Sequence, residues 1–172
     1  MRMTLLSFTL LFLSCTSKKE YIDLQHNPIT ITTACPENGK CEVTIHPDKT
    51  IVLTTAESGD VYYALEESKD KIVIVYTYNK TVPKDVMDAS YREEIIFELN
   101  KSIGPMEISD AGLSQTKMLF GRFCFCKGAT GYYNIRSGKL KTANLNGETA
   151  IDLNFHISEV PQIIENIGFT IK

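Results

Sequence analysis

Turn signals recur along this chain at short intervals, and the runs between them are rich in Val, Ile, Thr, Tyr and Phe. That punctuation is the pattern of an antiparallel sandwich or barrel, so the chain reads as all-β. The signal is plainest near the C-terminus, where Lys139 to Leu145, the pair Asn146-Gly147 and Glu148 to Ile157 read as a hairpin. Asn-Gly supplies the φ > 0 residues of a tight turn. Alternation then turns Ile151, Leu153, Phe155 and Ile157 inward and Asp152, Asn154 and His156 outward. Tyr132 to Arg136, ahead of a Ser137-Gly138 turn, is the expected third strand, which makes residues 132 to 157 a three-stranded meander.

Upstream, the expected first hairpin joins Ile29 to Ala34 with Cys41 to His46 through Pro36-Glu37-Asn38-Gly39. A second joins Thr50 to Thr55 with Val61 to Leu65 across Ser58-Gly59-Asp60. The run Ile72-Val73-Ile74-Val75-Tyr76-Thr77-Tyr78 lacks apolar/polar alternation, as expected of a central strand covered on both faces. After a loop around Val82-Pro83-Lys84, the stretch Tyr91 to Leu99 places Tyr91, Glu93, Ile95, Phe97 and Leu99 on one face. Glu93 breaks that apolar face, so it must lie at an edge or have a partner. One or two short helices complete the expectation: Ser109 to Leu119, with Asp110 in its first turn, and Ser158 to Asn166, with Ser158 as cap and Pro161 in the first turn.

The first fifteen residues follow a different rule. Arg2 precedes an apolar run from Thr4 to Leu13, which is half of the ~20 residues a membrane-spanning helix needs, so a removable signal fits better than a span. The ending Phe12-Leu13-Ser14-Cys15, with small Ser14 directly before the cysteine, resembles the signal of bacterial lipoproteins, although Phe12 and Leu13 depart from the usual pattern. The resemblance implies that signal peptidase II cuts before Cys15 and that Cys15 carries a thioether-linked diacylglycerol, commonly with an N-acyl chain. Two or three chains anchor stably, because each buried methylene adds about 0.8 kcal/mol. An ordinary secretory signal cut near the same point would export the chain equally. The implied layout is a signal peptide at 1–14, a lipidated N-terminus and flexible tether at 15–28, and a single β-rich domain at 29–172. The implied address is the bacterial cell envelope, as a membrane-anchored lipoprotein of the outer membrane, with either leaflet open. Removing residues 1–14 takes away one positive charge, Arg2, and no acid, so the formal net charge moves from −3 to −4. A mildly acidic chain is not drawn to nucleic acid.

With Cys15 committed to lipid, Cys35, Cys41, Cys124 and Cys126 remain, an even set that suits disulfides in an exported protein. A Cys35–Cys41 bridge across the first turn is geometrically possible. Cys124 and Cys126 share one face of an extended strand, where side chains two apart stand ~6–7 Å from each other, against a disulfide Cβ separation of ~4 Å. A local Cys124–Cys126 bridge therefore needs a bent backbone; the alternative is that each pairs with one of the first two cysteines. Neither Cys-x5-Cys nor Cys-x-Cys is a good zinc-ligand pair. Soft Cu(I) would accept Cys124 and Cys126, with Met118 or His156 as a further ligand, and a redox dithiol would want Cys-x-x-Cys at a helix N-terminus.

Other motifs are weaker. His26, His46 and His156 are scattered, Gly128-Ala129-Thr130-Gly131 reads as a turn, and no GxSxG, P-loop or dinucleotide fingerprint is present. Asp88, Glu93 and Glu94 are a conceivable carboxylate group. Tyr62-Tyr63, Tyr76, Tyr78 and Tyr132-Tyr133 would suit a sugar- or peptide-binding face, or the edges of an ordinary core. The segment Ser114 to Gly128, containing Arg122-Phe123-Cys124-Phe125-Cys126, is the densest mixture of aromatic, cationic and thiol groups. It resembles the core signature of a small uncharacterised bacterial lipoprotein family over most of the mature chain, a resemblance that implies no activity. The functional expectation is a lipid-anchored envelope protein acting as a non-catalytic binding or assembly module, without a cofactor. Its candidate binding residues are Arg122, Tyr132 and Tyr133, and its partners are the membrane through Cys15 and either a glycan or another envelope protein. The alternative is an envelope thiol-redox or metal-handling protein using Cys124 and Cys126.

Overall fold

The computed structural model describes residues 28–83 and 88–172. Cys15, the signal segment, nearly all of the tether, His26 and Lys84 lie outside them. The described chain is all-β, as expected. Its strands are β1 (Ile29–Ile31), β2 (Gly39–Thr55), β3 (Val61–Lys80), β4 (Tyr91–Asn100), β5 (Met106–Ser109), β6 (Leu119–Cys124), β7 (Gly131–Asn134), β8 (Ser137–Leu145), β9 (Glu148–His156) and β10 (Asn166–Ile171), with a 3-10 helix over Asp110–Thr116. One sheet runs β1-β10-β9-β8-β5 and the other β2-β3-β4-β6-β7, all antiparallel. No helix among the described residues is long and apolar enough to cross a membrane.

The β8–β9 hairpin follows the sequence closely. Leu145 pairs with Glu148 around Asn146 and Gly147, whose φ values of 53° and 79° give the turn the twist of its strands. Ile151, Leu153, Phe155 and Ile157 are buried, whereas Asp152, Asn154 and His156 are exposed. The main core lies between the sheets, where Ile72, Ile74, Tyr76, Ile95, Phe97 and Phe120 meet Leu140, Leu153, Phe155 and Phe169. Phe120 and Phe155 pack across it with ring centroids 5.9 Å apart.

The run Ile72 to Tyr78 is covered on both faces, again as expected. Its even-numbered residues enter the main core, while Val73 joins Ile51, Ile96 and Leu119 in a second, smaller one. The second core exists because the β2–β3 hairpin is far longer than the two short hairpins its sequence suggests. Between the pairs Pro47–Ile72 and Lys49–Glu67 the register shifts, leaving residues 68–71 opposite Asp48, whose φ is 57°. Beyond the bulge Ile51 faces the small core, whereas Val43 and Ile45 face the large one. The distal arm then brings Val61 into register with Tyr132, closing β3, β4, β6 and β7 into a four-stranded barrel.

Three expectations are corrected. Residues 29–34 do not form a hairpin with 41–46: β1 pairs with β10 in the other sheet, because Ile29 and Ile31 fit beside Ile171 and Phe169, and Thr32 and Thr33 both donate backbone N–H groups to the Gly168 carbonyl. Asn38 supplies the positive φ there, at 60°, whereas Gly39 is needed because the Tyr78 ring occupies the place of a side chain. Nor do residues 132–157 form a meander. β7 belongs to the barrel, the chain changes sheet at Ile135-Arg136, and the second neighbour of β8 is β5. Finally, residues 158–165 form an irregular loop, not a helix, and Asn166 starts β10. Side chains satisfy that loop instead of helical bonds: Gln162 accepts from the Ile157 N–H at 2.5 Å and donates to the Ile164 carbonyl at 2.8 Å.

The distal arm is clamped to the barrel by Glu98. This buried carboxylate accepts from the Thr50 hydroxyl at 2.7 Å and the Ile51 N–H at 2.8 Å, and lies 3.1 Å from Lys117 Nζ. Burial alone would raise its pKa, but the Ile51 N–H, Thr50 and Lys117 together outweigh burial and hold it below the ordinary value. A carboxylate depressed on folding stabilises above its unfolded pKa, and that contribution disappears as pH falls through the folded value. The wild type is therefore expected to lose stability on acidification below the ordinary value of 4.5, while Glu98→Gln, weaker at neutral pH, shows a flatter profile. Urea midpoints across pH 2–7 check this; parallel profiles would remove Glu98 as the clamp.

Candidate functional site

Two clefts flank the β6–β7 hairpin and share Phe123 and Thr130 in their walls. The larger, about 530 Å³, is lined by Asn79, Lys80, Asp88, Arg92, Cys124 and Phe125 among others. The smaller, about 450 Å³, lies where β7 meets β3, with Asp60, Tyr62, Tyr133, Asn134, Arg136 and Glu159 in its lining. Both volumes are in the ~300–1,000 Å³ range of small-molecule sites.

Alternation sorts the tyrosine pair. Tyr132 packs against the small barrel core and Tyr133 against the main core. The Tyr132 ring meets Tyr63 edge-on at 5.1 Å and Phe123 at 5.2 Å, and its hydroxyl donates to Glu94 Oε2 at 2.8 Å. Burial and the Glu94 carboxylate push its pKa well above the ordinary value. Arg92 completes this wall, its guanidinium 4.4 Å from the Phe123 centroid and its Nε 3.4 Å from Glu94 Oε1. Tyr62, on the opposite face of β3 from Tyr63, is 54% exposed. The Arg136 side chain, also exposed, has no hydrogen-bond or ion-pair partner among the described residues.

Arg122, the third candidate binding residue, is placed differently. It is only 9% exposed, and its guanidinium donates to the Ala129 carbonyl at 2.8 Å and the Tyr91 hydroxyl at 3.3 Å. Thr130 closes the same turn by donating to the Arg122 carbonyl at 3.0 Å. Tyr91 in turn donates to Glu93. Burial and that carboxylate push Tyr91 up to about 12, against the lowering pull of Arg122. Glu93 is fully buried and accepts the N–H groups of Ile163 at 2.7 Å and Ile164 at 2.8 Å. Its required partner is therefore the irregular loop. Arg122 thus organises the hairpin from within and does not face the clefts' solvent.

Both cysteine pairs are local. Cys35–Cys41 spans the crossover from β1 to β2, and Cys124–Cys126 closes at a Cα separation of 5.1 Å, with β6 ending at Cys124 and the backbone bending at Phe125. That bend turns Phe125 outward, 80% exposed at the hairpin tip. Asp88, Glu93 and Glu94 are not brought together: Glu93 enters the main core and Glu94 bonds Tyr132 on the other face of β4. Among the described residues no three His, Cys, Asp or Glu side chains cluster as metal ligands would. The sequence names Tyr62 among the tyrosines of a sugar- or peptide-binding face without singling it out, and it gives no sign of Arg136 as the open cation, because strand pairing with β7 is what brings their segments together. No protein-family model matches this chain, and no similar curated protein or solved structure was found.

Removing the Glu93 carboxylate strands two backbone donors and a tyrosine hydroxyl around a fully buried position. Glu93→Ala is expected to cost about 3–5 kcal/mol by chemical denaturation, as for a broken buried charge network. A loss below about 1 kcal/mol would show that water replaces the carboxylate and that the loop is held by something else.

Proposed function

We propose that this protein is a lipid-anchored component of the bacterial cell envelope that acts as a non-catalytic binding module. The observation that carries the binding half is the cleft of about 450 Å³ at the β3–β7 closure, which brings an exposed tyrosine of β3 beside an Arg136 guanidinium that has no partner among the described residues. The anchoring half is supported by the sequence ending at Cys15 and by a polar stretch from Thr16 to Pro28 long enough to tether a domain. Tyr62 and Tyr133 stand on strands, and the loop carrying Glu159 is pinned by Glu93, so the lining is held in place before a ligand arrives. Radiolabelled palmitate is expected to enter the wild type and not Cys15→Ala, with the variant released from the membrane fraction. Equal labelling would overturn the anchor.

A second reading rests on the Cys124–Cys126 bridge. It closes too small a loop to constrain the unfolded chain strongly, and it sits beside the exposed Phe125 in the wall of the larger cleft. As a redox couple it would accept two electrons and two protons from an external dithiol, giving Cys124 and Cys126 thiols and the donor's disulfide. Protein purified anaerobically would then carry two free thiols per chain, or a copper or zinc signal if the thiols hold metal. Two stable disulfides without metal would remove this reading.

A further inference from the structure

Building on the binding-module reading, the geometry points to a saccharide as the ligand of the cleft formed by Tyr62, Tyr133, Asn134, Arg136, Asp60 and Glu159. The cleft combines three properties that a sugar ring demands together. A sugar presents an apolar face of C–H groups, and Tyr62 offers a ring with more than half its surface free to cover one. Its hydroxyls each donate and accept, and the cleft supplies both kinds of partner: carboxylates at Asp60 and Glu159 accept, while Arg136 and the Asn134 amide donate. The Arg136 guanidinium has no partner among the described residues to give up on binding.

The alternative of a peptide fits less well. An extended peptide gains most of its affinity by adding a strand to an open sheet edge. Here the edge of β7 next to the cleft is already occupied at its middle by the pairing of Tyr132 with Val61, which leaves no continuous run for an added strand. Recognition at this cleft therefore falls chiefly to the side chains that line it, and their mixture suits a compact, hydroxyl-rich ring.

The test uses the purified full chain on an array of immobilised hexose and N-acetylhexosamine oligomers, with a random-peptide array in parallel. Retention on at least one oligosaccharide is expected, weakened about tenfold by Tyr62→Ala and by Arg136→Gln. Leu145→Ala, in the β8–β9 turn, should leave it unchanged. Tyr62 and Arg136 are exposed, so neither change should unfold the domain, and circular dichroism checks this. No saccharide retained, or retention indifferent to both variants, overturns the proposal. Peptide retention that depends on Tyr62 overturns the saccharide and leaves the binding module standing. Failure on both arrays with palmitate labelling intact removes the ligand-binding half alone.

Discussion

Everything else in this fold depends on β3 being apolar on both faces. A strand carrying Ile72, Ile74, Tyr76 and Tyr78 on one side and Val73 and Val75 on the other cannot lie in a sheet with a wet face. One face is covered by the second sheet. The other would need a third layer, and the chain makes one from its own β2–β3 hairpin by bulging at residues 68–71 and returning Val61 to β7. The barrel is thus a consequence of burying the back of a strand whose front already forms the sandwich core.

Two buried carboxylates on β4 then serve the two cores in the same way. Glu93 projects into the main core and takes the N–H groups of residues 163 and 164; Glu98 projects to the small core side and takes the N–H of Ile51. In each case a charge that would be costly in isolation is satisfied by backbone from a distant segment, so that segment is fixed in both position and register. The 158–165 loop needs no helix because Glu93 and Gln162 meet its polar groups.

What could be read from the sequence was whatever is local. Alternation from Ile151 to Ile157, the Asn146-Gly147 turn and the unbroken apolar run of β3 each report a property of one segment, and each is found. Glu93 was legible as a residue needing a partner, but the partner was hidden in a stretch whose Ser158 and Pro161 imitate a helix start. Sheet membership was not legible. A change of sheet at Ile135-Arg136 takes no more residues than a turn, and Asn38-Gly39 looks the same whether its flanking strands pair or part. The short strands β5 and β10 were missed because four or six residues, one run interrupted by Gly168, carry too little pattern.

The candidate site shows the same division between segment and assembly. Tyr132 and Tyr133 stand out in the sequence as a pair, yet pleating sends their side chains to opposite faces, and Tyr132 becomes a wedge that supports the wall. Arg122, the most conspicuous cation of the aromatic segment, is spent inside the hairpin. What remains open to a ligand comes from other places: Tyr62 from β3, Arg136 from the link between the sheets and Glu159 from the loop that Glu93 pins. The small barrel's closure through Val61 and Tyr132 is what gathers them, so the covering of β3 and the shape of the cleft have one cause.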